Sequence, residues 1–210
     1  MEPLTVFRSH TPRLIRDDTC RLSAVCLPFI EERDGLHILF ELRSGTMSEN
    51  AGDICFPGGM VEPGEEPLTA ALRELKEELL LEDADIEYLG AGDIFHNFSV
   101  EVHSYAVLLK HYEGTFCRDE VKEVFTVPLQ QLLACTPETG LMEWRAVTPE
   151  DFPYAHISGG RAHKFRPQRY RQYFYPSPYG RIWGITGKLL HACLDMIKEG
   201  SEPMPDRPQA

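Results

Sequence analysis

The chain has six cysteines, Cys20, Cys26, Cys55, Cys117, Cys135 and Cys193, but no CxxC pair and no paired Cys–His spacing. A structural zinc site is therefore not expected, and the thiols read as reduced and mostly buried. No apolar run approaches the roughly 20 residues of a membrane-spanning helix, so no membrane partner is expected. The first ten residues, MEPLTVFRSH, lack the charged-then-apolar layout of a secretory leader, and the reading is a cytoplasmic protein. Positive charge is scarce. With 21 Lys and Arg against 33 Asp and Glu, the net charge is −12, which argues against duplex nucleic acid as the main partner.

Acid is missing in one place. From Phe152 to Leu194 there is no Asp or Glu, while Arg161, Lys164, Arg166, Arg169, Arg171, Arg181 and Lys188 supply seven positive charges. The remainder therefore carries −19 against the overall −12. An acidic body with a basic C-terminal third suits a small, highly anionic substrate carried with cations.

The 210 residues, 42% hydrophobic, are enough for one well-packed domain. Residues 1–18 read as an N-terminal arm or added strand, 19–198 as a single domain and 199–210 as a flexible tail. Strands are expected at Arg21–Ile30, Leu36–Arg43, Asp53–Phe56, Ile86–Leu89, Ser99–Lys110 and Val121–Pro128. Asp34-Gly35 is a hairpin signal. Helices are expected from Pro67 to about Glu82 or Asp83, over Leu129–Cys135, and over Gly184–Ile197. Strands around one central helix with another at the end imply an α/β fold with a mixed sheet between helical layers.

The most informative stretch is GMVEPGEEPLTAALRELKEELLL, Gly59 to Leu81. At helical spacing Leu68, Leu72, Leu75 and Leu79 form one apolar stripe, and Glu74, Glu77 and Glu78 fall elsewhere. Clustered carboxylates on an exposed helix repel one another. They become favourable around hard divalent cations, which prefer oxygen ligands. The bland reading is a solvated acidic face. Phe56-Pro57-Gly58-Gly59 before it reads as a turn, followed by Gly64-Glu65 and, seven residues on, Arg73.

Taken whole, Gly59, Glu65, Arg73, Glu74, Leu75, Glu77, Glu78 and Leu81 resemble the Nudix box: a glycine, five residues, Glu, seven residues, then REUxEExGU with U apolar. Leu80 stands where that pattern has glycine. The resemblance implies a Nudix-type α/β/α sandwich and hydrolysis of a diphosphate bond in a nucleoside diphosphate-linked substrate with Mg²⁺ or Mn²⁺. It implies Glu74 and Glu78 as principal metal ligands, Glu77 as a further ligand or the group that orients and deprotonates water, and the Gly59 carbonyl as a possible ligand. Arg73 would pair with a box glutamate, with Glu65 as the suggested partner. Glu65 has the alternative reading of a carboxylate favourable to the helix dipole. Glu120, in an acidic-Val…Pro-Leu stretch, is a candidate extra ligand or base, against a solvated strand edge. Leu80 predicts either a helix running on to Glu82-Asp83 or a mildly strained exit.

The stretch before the box is similar to the extension of coenzyme A pyrophosphatases, matching at Arg43, Ser44, Gly52 and Phe56–Gly59. Ser48 falls where that branch has a second arginine. Arg181 to Gly187 is similar to the segment opening the last helix of the same branch. This implies coenzyme A or a derivative as substrate, with Arg43, Phe56 and Gly58 near it. Arg161, Lys164 and Arg166 are candidates for binding its 3′-phosphate. Phe165, Tyr170, Tyr173, Phe174, Tyr175 and Tyr179 could stack an adenine or instead pack on the core. The alternatives are another Nudix substrate such as ADP-ribose, and a non-catalytic ligand sensor. A homodimer is a possibility within the resemblance.

Overall fold

The computed structural model describes residues 14, 15, 17, 19–44 and 52–201. Ser48, most of the expected N-terminal arm and residues 202–210 lie outside the described residues. Ten strands and three α-helices follow in chain order: β1 (Arg21–Glu32), β2 (Gly35–Arg43), β3 (Ile54–Cys55), β4 (Gly58–Met60), α1 (Pro67–Leu79), β5 (Ile86–His96), β6 (Val100–Leu109), β7 (Val121–Pro128), α2 (Leu129–Ala134), β8 (Glu138–Trp144), β9 (Gln168–Ser177), β10 (Gly180–Ile182) and α3 (Gly184–Ser201).

The main sheet is mixed and seven-stranded. Its path runs β3-β2-β1-β6-β5, with β4 also on β1 and β7 on the other side of β2. The pair at its centre, β1 and β6, is parallel, from Arg21↔Val100 to Ile30↔Leu109. β1 and β2 pair only near their hairpin, Phe29↔Ile38 to Glu32↔Gly35. Beyond that, β3 takes the β2 edge at Glu41 and Leu42, while β4 takes the β1 edge at Ser23 to Val25. The segment before the box is thus wedged into the split between the two strands.

Strand alternation gives the sheet two apolar faces. Ala24, Cys26, Leu39, Val107 and Leu109 pack with Ala70, Ala71, Leu75 and Leu79 of α1. Leu27, Phe29, Ile38, Phe40 and Val102 face the other way, onto Leu129 and Leu132 of α2 and Leu189, Leu190 and Leu194 of α3. This is a mixed sheet between helical layers. A second sheet, β10-β9-β8, stands beside it and contributes Tyr175 and Ile182 to the α3-side core.

Four expectations need correction. Gly58-Gly59 is strand β4 rather than a turn, because β1 supplies its partner. The strand at 86 continues to His96, crossing register shifts between Tyr88/Gly90 and Ala91/Ile94 that interrupt its alternation. Helix α1 stops at Leu79, short of Glu82, and α3 runs on past Ile197 to Ser201. Leu80 adopts the left-handed conformation, φ 57° and ψ 48°, and the backbone N–H of Leu81 donates to the Lys76 carbonyl. Burial of Leu81 in the α1-side core makes the helix turn off there.

Leu80 thus carries the strain that glycine would avoid, and its side chain is 58% exposed, so little packing is lost on removing it. Leu80→Gly should stabilise the fold by about 1 kcal/mol. Urea unfolding checks this: the midpoint should rise with an unchanged slope, and a fall would show that Leu80 contributes through packing.

Candidate active site

The site forms where α1 meets the wedge. Pro67 opens the helix at its first turn, where a missing N–H costs nothing. Ala70, Ala71, Leu75 and Leu79, with Leu72 partly buried beside them and Leu68 of the expected stripe outside this core, dock α1 on β1, β4 and β6, which points Glu74 and Glu78 at the Gly-Gly strand. The backbone N–H of Gly58 donates to Glu78 Oε2 at 2.7 Å. Gly58 has φ 149°, and a Cβ there would lie 2.3 Å from the Ala24 carbonyl oxygen. A Cβ on Gly59 would lie 2.5 Å from the Glu74 carboxyl carbon. Both glycines are therefore required by close approach: the first of strand to strand, the second of strand to carboxylate.

Carboxylate oxygens of Glu74, Glu78 and Glu120 lie within 4.8 Å of one another. Glu120 reaches them because the Glu120 carbonyl accepts from the Ser44 N–H, fixing the start of β7 against the end of β2. Glu77 is not in this group. Its side chain is 60% exposed and accepts from Arg73 Nη1 at 3.4 Å. Arg73 ties the outer part of the site together. Its Nε and Nη2 donate to the two oxygens of Glu65 at 3.1 and 3.2 Å, and Nη1 donates to Glu74 Oε1 at 2.8 Å. Nη2 also reaches the Met60 carbonyl at 3.3 Å. Donating to Glu65 and Glu74 holds the guanidinium above its ordinary range, and accepting from Arg73 holds Glu65 below the usual carboxylate range.

The inner part is short of positive charge. Glu78 is only 4% exposed. Burial, with Glu74 and Glu120 adding to it and the Gly58 N–H and Arg43 opposing, pushes its carboxyl up to about 8. Behind it stands Glu41, a residue that strand periodicity alone did not mark as functional. It is 1% exposed, and its Oε1 has no hydrogen-bond partner among the described residues. Burial first, then Glu78, raises it well above the ordinary value, with Arg43 opposing. Glu41 lies two residues from Leu39 on the α1-facing side of β2, and a carboxylate at a core position of a strand was the available signal. Arg43 sits between these acids and Cys55. Burial works against its charge, but Cys55, Glu78 and Glu41 outweigh it and hold it above its usual value.

The remaining candidates are placed elsewhere. Phe56 is buried and stacks on Phe40 at 4.9 Å between ring centroids, within the α3-side core. Arg161 donates to the Glu150 carbonyl and lies over the Tyr154 ring. Lys164 and Arg166 are exposed in the same irregular segment between β8 and β9. The cation that most offsets Glu41 and Glu78 is Arg43. Of the aromatics, Tyr175 is buried against His191, Tyr173 stacks on His191, and Phe174 stacks on Trp183. Tyr179 packs on Phe125, and Phe165 on Phe152.

Three crowded oxygen donors, one of them nearly excluded from solvent, and an unpartnered carboxylate oxygen behind them form a donor set for a hard divalent cation. Without a cation the acids oppose one another, and protonation is the remaining relief.

Comparison with known proteins finds a family match and several relatives. The sequence model described as the NUDIX domain matches residues 21–154, more than half of the chain. Nudix hydrolase 3 of Caenorhabditis elegans is 27% identical over 197 residues, covering 90% of this chain and 79% of that protein. The peroxisomal coenzyme A diphosphatase of Mus musculus is 33% identical over 113 residues, 52% of this chain and 48% of that protein, so the match spans about half of either. Among solved structures, the C. elegans Ap4A hydrolase binary complex aligns with a TM-score of 0.45 at 19% identity, over 51% of this chain and 80% of that one.

Glu78 makes stability depend on pH in the metal-stripped protein. Its folded value, about 8, lies above the ordinary 4.5. The folded chain thus keeps a proton that the unfolded chain releases. This contribution is fully present below pH 4.5 and is lost as pH rises to about 8, by on the order of a few kcal/mol. Urea midpoints measured in chelator across that range should fall, and Glu78→Gln should flatten the slope. An equal slope in the variant would assign the effect to other groups.

Proposed function

The chain belongs to the Nudix family and is a pyrophosphohydrolase, and from that premise we propose that its substrate is coenzyme A or a close derivative, cut at the diphosphate to adenosine 3′,5′-bisphosphate and 4′-phosphopantetheine. The observation that carries the substrate is the similarity to coenzyme A diphosphatases. One from mouse is 33% identical over 113 residues, and another, from C. elegans, is 35% identical over 108. The branch-like Arg43, Ser44, Gly52 and Phe56 to Gly59 extension supports the same substrate.

In this reading Glu74, Glu78 and Glu120 would hold the cation, Mg²⁺ or Mn²⁺, with the Gly59 carbonyl as a further candidate ligand. Bound there, a divalent ion would neutralise diphosphate oxygens and polarise phosphorus. The chain's own groups do the rest. Arg73 does not touch substrate; it fixes the rotamers of Glu65 and Glu74 through its fork. Glu77, exposed at the rim and held by Arg73, accepts the proton of the attacking water as the new P–O bond forms and the bridging P–O bond breaks. The burial of Glu78 and Glu41 keeps water from screening charges in the inner site. ADP-ribose is a second reading, favoured by Ser48, which lacks the guanidinium found in the branch pattern.

Incubation with Mg²⁺ or Mn²⁺ and each substrate, with chromatography of the products, separates the two. Coenzyme A turnover should exceed ADP-ribose turnover, and the reverse would overturn the assignment. Glu77→Gln should lower kcat by about 10²-fold or more while leaving Mn²⁺ affinity intact. Glu78→Gln and Gly59→Ala should weaken Mn²⁺ binding by roughly 10-fold or more, read by calorimetry. A Glu77→Gln enzyme of full activity would remove Glu77 from the chemistry.

A further inference from the structure

A cavity of about 420 Å³ opens where the main sheet, the small sheet and α3 meet. Its walls are the rings of Phe95, His96, Phe98, Trp144 and Tyr170, the amides of Asn97 and Gln168, and the amine of Lys188, and among the described residues no Asp or Glu lines it. Phe98 and Trp144 expose 66% and 50% of their surface, a large apolar area for side chains that could have been buried. Lys188 stands 5.0 Å from the Tyr170 ring centroid and 5.9 Å from that of Phe95. Among the described residues no carboxylate is within ion-pairing distance of it. Burial alone acts on its charge and lowers its pKa from the usual amine range. Its nearest neighbours are rings; Asp93, Asp195 and Glu199 line the adjoining cavity that Lys188 also borders, but none of them forms an ion pair with it, so the ammonium lacks a direct anion.

The cavity and the carboxylate cluster share one end of the sheet. Phe95 pairs with Val102, Val102 with Ser23, and Ser23 with Met60, whose carbonyl accepts from Arg73. Phe95 and Met60 are thus three strand spacings apart, roughly 14 Å within the sheet; the cavity lies on the α3 face and α1 on the other, so the ribose and diphosphate of a nucleotide would pass between them round the end of the sheet.

We propose that this cavity is the subsite for the phosphorylated nucleoside end of the substrate. A flat heteroaromatic base stacks against Trp144 and Phe98, Gln168 and the Asn97 amide nitrogen face its polar edge (Asn97 Oδ1 already accepts from Ser99 and Val100), and Lys188 pairs with a monophosphate ester on the ribose. The assignment rests on the diphosphate-hydrolase reading and moves the determinant of 3′-phosphate recognition from Arg161, Lys164 and Arg166 to Lys188. Stacking gives affinity with little selectivity among bases, and the amine gives selectivity for the extra phosphate.

The test is calorimetric binding of adenosine 3′,5′-bisphosphate and adenosine 5′-monophosphate to the full chain, without added metal, alongside KM for coenzyme A and for dephospho-coenzyme A. The bisphosphate should bind on the order of tenfold or more tightly than the monophosphate, a charge-assisted contact's worth. Lys188→Met should abolish that preference and raise KM for coenzyme A. Lys188→Arg should keep both, showing that charge rather than folding is responsible, and Trp144→Leu should weaken both ligands. Equal binding of the two ligands by the unmodified protein, or an unchanged preference in Lys188→Met, overturns the subsite. Lys188-dependent bisphosphate binding without coenzyme A turnover keeps the subsite and overturns the substrate assignment instead.

Discussion

The contact of the Glu74 carboxylate with the bare backbone of Gly59 is the constraint from which the site follows. For it to form, β1 and β2 must part beyond their hairpin, the Gly-Gly strand must fill the gap, and α1 must lie close across it. Arg73 then spans the junction, holding Glu65 on the loop, Glu74 on the helix and the Met60 carbonyl on the strand. Three separate elements are pinned by one guanidinium, which is planar and permanently charged and so suited to several fixed acceptors at once.

Behind this pinned surface the protein accumulates charge that it does not balance. Glu41 and Glu78 are buried and repel each other; the Gly58 N–H and then Arg43 offset Glu78, and Arg43 offsets Glu41. Such an arrangement costs stability in the empty protein and is relieved by a cation or a proton. The strain at Leu80 adds a smaller cost at the same helix. The chain concentrates its unfavourable terms around α1 and offsets them with the two apolar cores on either face of the sheet.

The box was legible because its spacing is local: Glu74, Glu78 and Arg73 share one helix, and helical periodicity alone sets their relative directions. Strands β1, β2, β6 and β7 were legible from β-branched and apolar runs. Three things were not. β4 reads as a turn because Gly58-Gly59 has strand character only through its pairing with Ala24 and Val25. β8 to β10 were hidden because Arg169, Arg171 and neighbouring prolines and glycines obscure alternation, and their sheet is held by partners such as Glu143, which accepts from Arg169 across the strands. Glu41 was hidden because a single acid in an apolar strand looks like a surface residue until its neighbours in space are known. Glu120 was legible as a candidate from its sequence context, but its nearness to Glu74 depends on the β2–β7 pairing.

The parallel pairing of β1 with β6 places the entire box inside the loop that those two strands close. Closing so long a loop before its contacts are made is entropically costly and slow. The acids of the box therefore come together only after strands from both ends of that loop have met. A nascent chain that has released α1 but not β6 holds the complete motif yet lacks the central parallel pair of the sheet on which α1 docks. Capacity to capture a cation is thus acquired late, as a property of the closed sheet rather than of the motif.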